Sequence, residues 1–416
     1  MKVYKFGGAS VKDATGIRNL AEIIKGEKED LVIVVSALGK TTNALENVLK
    51  AWMAGNVNWL TLFEEIKEYH LSILKELSGS NDELMLSIDS SLQLLMDYLG
   101  RKSQGEFDFE YDQVVSYGEL WSTLIVNSYL KKESLKTRWI DIRDCIITDS
   151  NYRDANVLWD ITAGKVKKNF DLSKGMIYVT QGFIGGTAKG STTTLGREGS
   201  DYSAAILGNI LNAERVVFWK DVAGILNADP KWMADATQLI EISYKEAVEM
   251  TFSGAKVIHP KTIKPLHNKG IPLFVKSFND PDNTGTTIKA VAKGDDTIPV
   301  FIRKEKQILI SILPKDFSFA MGDNLSRVFN SFLENGIKVN LVQASAVSIN
   351  VCVDDDREKV QNLIDDLKKE YKTIYNDNAE IITIRHYTPD SIGFVTEGRE
   401  VLLEQRTRKI VRFVLK

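Results

Sequence analysis

Arg197 and Asp201 stand close together in the run Thr193-Thr194-Leu195-Gly196-Arg197-Glu198-Gly199-Ser200-Asp201-Tyr202, a cation and an anion at what reads as a helix mouth. A guanidinium offers a planar fork to a carboxylate, and a carboxylate attracts an ammonium, so the pair is suited to clamping a zwitterion. Ahead of it, Met176-Ile177-Tyr178-Val179-Thr180 has the apolar, β-branched character of a buried strand, and Ser203 to Leu211 has an apolar helical face. Between them lie Gly182, Gly185, Gly186 and Gly190, then threonines, then Gly196 and Gly199. A strand, a long glycine-rich loop and a helix opened by Ser200 or Asp201 would make a concave place for an anion, because free N–H groups point out of a helix N-terminus. Taken alone, the stretch fits a glycine-rich surface loop with a capped helix equally well.

The elements that must position these groups follow from the pattern around them. Val3 to Phe6, then Gly7-Gly8-Ala9-Ser10, reads as strand and glycine turn, with a helix from Ala14 to Ile24. Leu31 to Val35 is continuously apolar, as a sheet covered on both faces requires, and ends at the polar loop Ser36 to Asn43. A helical pattern runs from Ala44 to about Gly100, with Leu71, Leu74 and Leu77 on one face, and a further helix from Val114 to Lys131. More strands are expected at Thr137–Ile142, Val216–Trp219 and Pro272–Lys276. Strands alternating with helices predict an α/β fold, a mainly parallel sheet between helical layers, with ligands at the strands' carboxyl ends.

Past Ala290–Pro299, where Lys293-Gly294-Asp295-Asp296 reads as a linker, the rhythm changes. Strands at Gln307–Leu313, Ile337–Val342 and Val347–Val353 and helices at Leu325–Asn335 and Arg357–Tyr371 suggest a small ferredoxin-like unit. Ile381–Arg385 and Val411–Leu415 then flank a poorly defined middle.

Bulk properties exclude several classes. With 416 residues, 44% hydrophobic and 26% charged, the chain is long enough for two or three cored domains. Its 53 basic and 56 acidic residues give a net charge of −3, so no basic face points to nucleic acid. No apolar run approaches the ~20 residues of a membrane span. Cys145 and Cys352 fit no metal spacing and read as buried thiols in a reducing compartment. The strand pattern begins at once, without a signal-peptide core, so a cytoplasmic location is expected.

Four separated stretches call for one explanation: Lys5-Phe6-Gly7-Gly8-Ala9-Ser10, Ser116-Tyr117-Gly118-Glu119-Leu120-Trp121-Ser122, the run from Thr194 to Tyr202, and Phe252-Ser253-Gly254-Ala255-Lys256-Val257-Ile258-His259-Pro260. In this order they resemble the aspartate kinases of the amino acid kinase family. The resemblance makes residues 1–290 a catalytic domain, 300–378 an ACT-like domain and 379–416 a truncated second ACT-like unit. It implies transfer of the γ-phosphate of ATP, with Mg²⁺, to the side-chain carboxylate of L-aspartate, giving 4-phospho-L-aspartate at the start of lysine, threonine and methionine biosynthesis.

Chemistry agrees with that implication. A carboxylate nucleophile, with a reference pKa near ~3.9, needs no general base. Phosphoryl transfer needs positioning and charge, which two lysines, glycine N–H groups and Mg²⁺ held mainly by the ATP phosphates can supply. By matching positions, Lys5, Gly8, Asp201 and Lys256 would serve catalysis. Arg197 would grip the substrate α-carboxylate and Glu119 and Asp201 its ammonium, with Ser36, Thr42 and Ser200 nearby. Lys5, Gly7, Gly8, Ala9, Lys220, Asp221, Leu226, Lys231, Lys256 and Val257 would meet the nucleotide. His259-Pro260 reads as structural.

Several positions depart from the family pattern. Ala9 stands for a usual Thr, Glu198 for a Gly, Lys220 for a Thr, Leu226 for a Tyr and Lys231 for an Arg. The alternatives are another amino acid kinase, acting on glutamate or acetylglutamate, and a catalytically silent amino-acid sensor. An N-acetylated substrate would leave Glu119 and Asp201 without an ammonium. In the ACT-like region, thought to pair subunits into a homodimer and to bind an amino-acid effector, Asn340 takes the place of an Asp and Ala346 that of a Glu. Weak or absent inhibition by lysine is therefore expected.

Overall fold

The structure is a computed structural model. It describes residues 1–27, 30–78, 82–103, 105–172, 175–255, 257–292, 297–316, 319–320 and 322–416, with only the backbone at 78, 82–85 and 87. Lys256, the expected linker Lys293–Asp296, and Phe317, Ser318 and Met321 of the loop before the later helix lie outside the described residues. The chain divides into two compact units: residues 1–225, 238–248 and 258–293, and residues 226–237, 249–257 and 294–416.

In the first unit the elements run β1 (Lys2–Phe6), α1 (Ala14–Lys25), β2 (Leu31–Val35), α2 (Thr41–Met53), α3 (Trp59–Ser78), α4 (Asp82–Leu99), α5 (Phe107–Lys132), β3 (Thr137–Ile140), β4 (Ile147–Thr148) and α6 (Trp159–Asn169). They continue with β5 (Ile177–Gln181), β6 (Ile184–Thr187), β7 (Thr192–Thr194), α7 (Gly199–Ile210), β8 (Arg215–Lys220), β9 (Glu241–Ser243), α8 (Tyr244–Phe252, its last turn counted with the second unit), α9 (Pro260–His267), β10 (Leu273–Ser277) and β11 (Thr286–Lys289).

The main sheet has the order β3-β5-β2-β1-β8-β10-β11-β9, parallel except where β10 meets β11. Every residue of β1 and β2 is buried, as the apolar runs require. Phe6 pairs with both Val35 and Trp219, so β1, β2 and β8 end level and release their loops at one edge. The core joins Phe6, Ile33 and Val35 to Leu45, Leu49, Leu74 and Trp121 of the helices.

Three readings need correction here. The long helical pattern after Ala44 is three helices, broken first at Gly55, whose φ of +68° no ordinary side chain favours. The glycine-rich loop after β5 contains two strands, in a small sheet ordered β4-β6-β7. A Cβ on Gly186 would lie 2.4 Å from Arg143 O, so glycine is what lets β6 approach that backbone. The acidic stretch before Val114 is also helical, with Asp108 and Glu110 in the first turn of α5, where the helix dipole favours negative charge.

The second unit holds β12 (Val300–Pro314), α10 (Asp323–Glu334), β13 (Val339–Ala344), β14 (Ile349–Asp354), α11 (Arg357–Glu370), β15 (Tyr371–Arg385), α12 (Pro389–Thr396), β16 (Val401–Arg406) and β17 (Ile410–Leu415). Its antiparallel sheet has the order β13-β14-β12-β15-β17-β16, and the first four strands are in ferredoxin-like order. β12 and β15 are each 15 residues long, with register shifts around Lys304 and Gln307. Ile308, Ile310 and Ile312 face a core shared with α10 and α11, while Leu309 joins Leu341, Ile381, Leu403 and Val414 on the opposite face. That alternation is the two-residue period of a strand covered on both sides. At the sheet's two ends, Gln405 Nε2 of β16 donates to Val342 O of β13 at 3.1 Å. Cys145 and Cys352 are both buried and unpaired, and among the described residues no helix is long and apolar enough to cross a membrane.

Candidate active site

The level strand ends of the first unit open into a cavity of about 580 Å³. β1 delivers Lys5 and Gly8, β2 delivers Ser36 and Gly39, and β8 delivers Lys220. The two glycine loops lock together: Gly39 N–H donates to Gly8 O at 3.0 Å. A Cβ on Gly8 would lie 2.6 Å from Ala37 O and 2.9 Å from Gly39 O, so no other residue fits without moving backbone. At Gly7 the nearest atom to such a Cβ would be Lys5 Nζ, at an ordinary contact distance of 3.6 Å, so the turn runs beside the ammonium.

The first turn of α7 forms the opposite wall through Gly199, Ser200 and Asp201. Its N-cap is Glu198, not Ser200 or Asp201, and it caps without a side-chain hydrogen bond. Asp201 is buried, with Lys5 Nζ 2.6 Å from Oδ1 and Lys220 Nζ 3.4 Å from Oδ2. Burial pushes this carboxyl up, but the two ammonium groups outweigh burial and hold it below the usual carboxylate range. Lys220, a departure from the family pattern, thus adds a second cation to Asp201.

Glu119 is fully buried on α5, and its Oε2 has no hydrogen-bond partner among the described residues. Desolvation raises it to about 8, against the opposing pull of Ala37 N–H and the Lys5 charge. A buried acid lining the cavity with an unused oxygen is suited to receive a cation. Arg197 also lines the cavity, is exposed, and has no ion-pair partner among the described residues. One cavity therefore offers an unused guanidinium for an anion and an unused carboxyl oxygen for a cation.

Most of the residues expected from the sequence meet here: Lys5, Gly8, Ser36, Thr42, Glu119, Arg197, Ser200, Asp201 and Lys220 all line the cavity. Gly7 and Ala9 flank Gly8 without lining it, and Asp221 is exposed just beyond β8. Leu226, Lys231 and Val257 belong to the second unit. His259 is the N-cap of α9, its Nδ1 accepting from Lys261 N–H, while its own N–H donates to Glu198 Oε2 at 2.7 Å. The charge brought by Glu198 is thereby engaged with backbone.

Sequence reasoning missed Tyr111, Arg153 and Phe183, which also line the cavity. Arg153, Phe183 and Glu198 share one property: each is a non-glycine residue with positive φ, at +67°, +71° and +55°. Such conformations cost of order 1 kcal/mol or more each and gather where a site needs an unusual backbone. Phe183 N–H is held by Ser203 Oγ at 3.0 Å. Arg153 N–H is held by Asp112 Oδ2 at 3.0 Å, and the same buried carboxylate takes Thr194 N–H at 2.8 Å and Thr194 Oγ1 at 2.7 Å. Burial lifts Asp112 to about 6, with those hydrogen bonds opposing the rise. Asp112 lies two turns from Glu119 on α5, ahead of the Val114 at which the sequence pattern starts that helix.

Comparison with known proteins follows the same lines. The amino acid kinase family profile matches residues 1–277. The chain is 32% identical over 356 residues to lysine-sensitive aspartokinase 3 of Escherichia coli (strain K12), which takes in 85% of this chain and 78% of that one. It is 30% identical over 387 residues to the chloroplastic bifunctional aspartokinase/homoserine dehydrogenase 2 of Arabidopsis thaliana, matching 89% of this chain but only 42% of that longer protein's length. Its fold superposes on E. coli aspartokinase III in complex with aspartate and ADP (R-state) with a TM-score of 0.82 at 27% identity, over 100% of this chain and 96% of that one. A shared profile over most of the chain, and identity and fold that extend beyond it, lead to one conclusion: the chain belongs to the amino acid kinase family, among its aspartokinases.

Proposed function

We propose that the protein is an aspartate kinase, transferring the γ-phosphate of ATP to the side-chain carboxylate of L-aspartate to give ADP and 4-phospho-L-aspartate. The observation that carries the reading is the pairing, in one cavity, of the free Oε2 of Glu119 with the guanidinium of Arg197, which has no ion-pair partner among the described residues. Aspartate has an ammonium for the first and an α-carboxylate for the second. Its side-chain carboxylate would then lie towards Lys5 and Gly8, in line with the transferring phosphorus. As the carboxylate oxygen bonds to that phosphorus, the bond from phosphorus to the ADP oxygen breaks. Lys5 and the Gly7-Gly8 turn would stabilise charge on the phosphoryl oxygens.

Mg²⁺ would ride mainly on the ATP phosphates and neutralise their charge. In this reading residues 1–290 are the kinase domain, and 300–378 and 379–416 are ACT-like pieces that pair two copies into a homodimer. The test is ATP turnover, read as ADP release, with aspartate, glutamate and acetylglutamate in parallel and with Mg²⁺ removed by chelation. Turnover restricted to aspartate and lost without Mg²⁺ is expected. Preference for acetylglutamate would overturn the reading.

A further inference from the structure

We infer that Arg153 is a second guanidinium for the non-reacting carboxylate of the substrate and sets selectivity for it. The inference rests on the aspartate kinase reading. Arg153 lines the same cavity as Arg197 and adjoins it: a Cβ on Gly196 would lie 3.2 Å from Arg153 O. Its backbone is fixed in the left-handed region by Asp112, which also anchors Thr194 at the end of β7 and sits on the helix that bears Glu119. Asp112 is thus a positioning residue tying three walls of the cavity to one buried carboxylate.

The side chain is aimed but not spent. Its guanidinium carbon lies 4.6 Å from the centre of the Tyr111 ring and 5.5 Å from that of Phe107, so the cation is held against two ring faces. Its ion pair is to Asp108 at 3.1 Å, with both side chains substantially exposed, and such a pair is easily exchanged. Charge balance points the same way. Asp201 is met by Lys5 and Lys220, and Glu198 by a backbone N–H. Glu119 would take the ammonium. Arg197 and Arg153 are left for the one carboxylate that does not react. A fork that releases Asp108 and turns to that carboxylate favours a free acid over an amide or ester at the same place.

The test compares wild type, Arg153→Ala, Arg153→Lys and Asp108→Asn with L-aspartate and with its α-amide, which keeps the ammonium and the side-chain carboxylate. Arg153→Ala should raise KM for aspartate about tenfold, as loss of one charge-assisted contact implies, with kcat and the KM for ATP nearly unchanged. The penalty with the α-amide should be under about threefold, because the lost partner is already absent there. Arg153→Lys should recover part of the loss, and Asp108→Asn should lower KM for aspartate by freeing the guanidinium. An unchanged KM for aspartate in Arg153→Ala, equal losses with both substrates, or a raised KM for ATP would each overturn the assignment. Wild-type turnover in the same plates tests the kinase reading separately: an inactive wild type overturns both, an active wild type with a normal Arg153→Ala only this one.

Discussion

The Lys5 ammonium sits 2.6 Å from Asp201 Oδ1, joining the first strand of the sheet to the first turn of α7 with both side chains almost wholly out of solvent. The pair ties the chain's amino-terminal strand to the stretch that bears Arg197, at the point where the proposed reaction would develop phosphoryl charge.

Lys5→Ala would leave Asp201 with Lys220 alone, 3.4 Å away. The expected loss of stability is roughly 3 kcal/mol, the low end for orphaning a buried charge, because that second cation stays. Asp201→Asn in the same background should restore most of it, a result read from urea unfolding of the four proteins of the cycle. Turnover should fall far more than KM for aspartate rises. If only aspartate affinity fell, Lys5 would belong to substrate binding.

Arg197→Ala should behave in the opposite way. The side chain is exposed and makes no ion pair with the described residues, so stability should change by less than about 0.5 kcal/mol. Binding or transition-state stabilisation of aspartate should fall by about 2–5 kcal/mol, the cost of leaving a ligand carboxylate unpaired. Aspartate kinetics within a few fold of wild type would refute the role.

Glu119 links the site to pH. Burial raises its carboxyl to about 8, so at neutral pH the free protein holds it protonated. The ionised form attracts an ammonium, so aspartate binding should release a proton, and affinity should rise up to about tenfold per pH unit between about pH 6 and 8 before levelling. The sign for folding is opposite. Because the folded value lies above the unfolded one, the free protein is most stable below about pH 4.5 as far as this group goes, and loses that contribution as pH rises to about 8. Titration calorimetry in buffers of different ionisation enthalpy counts the proton. Glu119→Gln should abolish both the proton release and the pH slope. A slope that survives that substitution would place the titration elsewhere.

Continuous apolar runs such as Leu31–Val35 were legible because a strand buried on both faces has no polar alternative. Arg197 and Asp201 stood out because their charges could be reasoned about locally, whereas Lys5 and Glu119 were picked out only through motifs resembling those of the aspartate kinases; all four line one cavity. Arg153 and Phe183 were not. Their φ values arise from tertiary hydrogen bonds to Asp112 and Ser203, and nothing in Asn151-Tyr152-Arg153-Asp154 announces them. The first half of β15 escaped for a similar reason. Lys372, Asn376, Asp377 and Asn378 make it read as a polar loop, yet β12 supplies a partner along its whole length.

Regulation by lysine should be weak or absent. The Asn340 amide is fully engaged within its own unit: Oδ1 accepts from Lys304 Nζ at 2.7 Å, and Nδ2 donates to Gln307 Oε1 at 2.8 Å and Asp354 Oδ1 at 3.0 Å. An effector ammonium would meet a neutral, occupied amide and forgo the charge-assisted part of the contact. Activity titrated with lysine, threonine and both, at subsaturating aspartate, checks this. Strong inhibition by submillimolar lysine would overturn it.

The hydrogen bond from Gln405 to Val342 brings the two outermost strands of the second unit's sheet together. Outer strands are where a sheet recruits foreign chains, since their unpaired amides template further pairing. At this one point the Gln405 side chain takes up a β13 carbonyl that an incoming strand would otherwise use. The consequence is colloidal: Gln405→Pro or a deletion in Val401–Arg406 should turn a well-behaved solution into one that thickens and scatters light on standing, before any loss of kinase chemistry in the other unit.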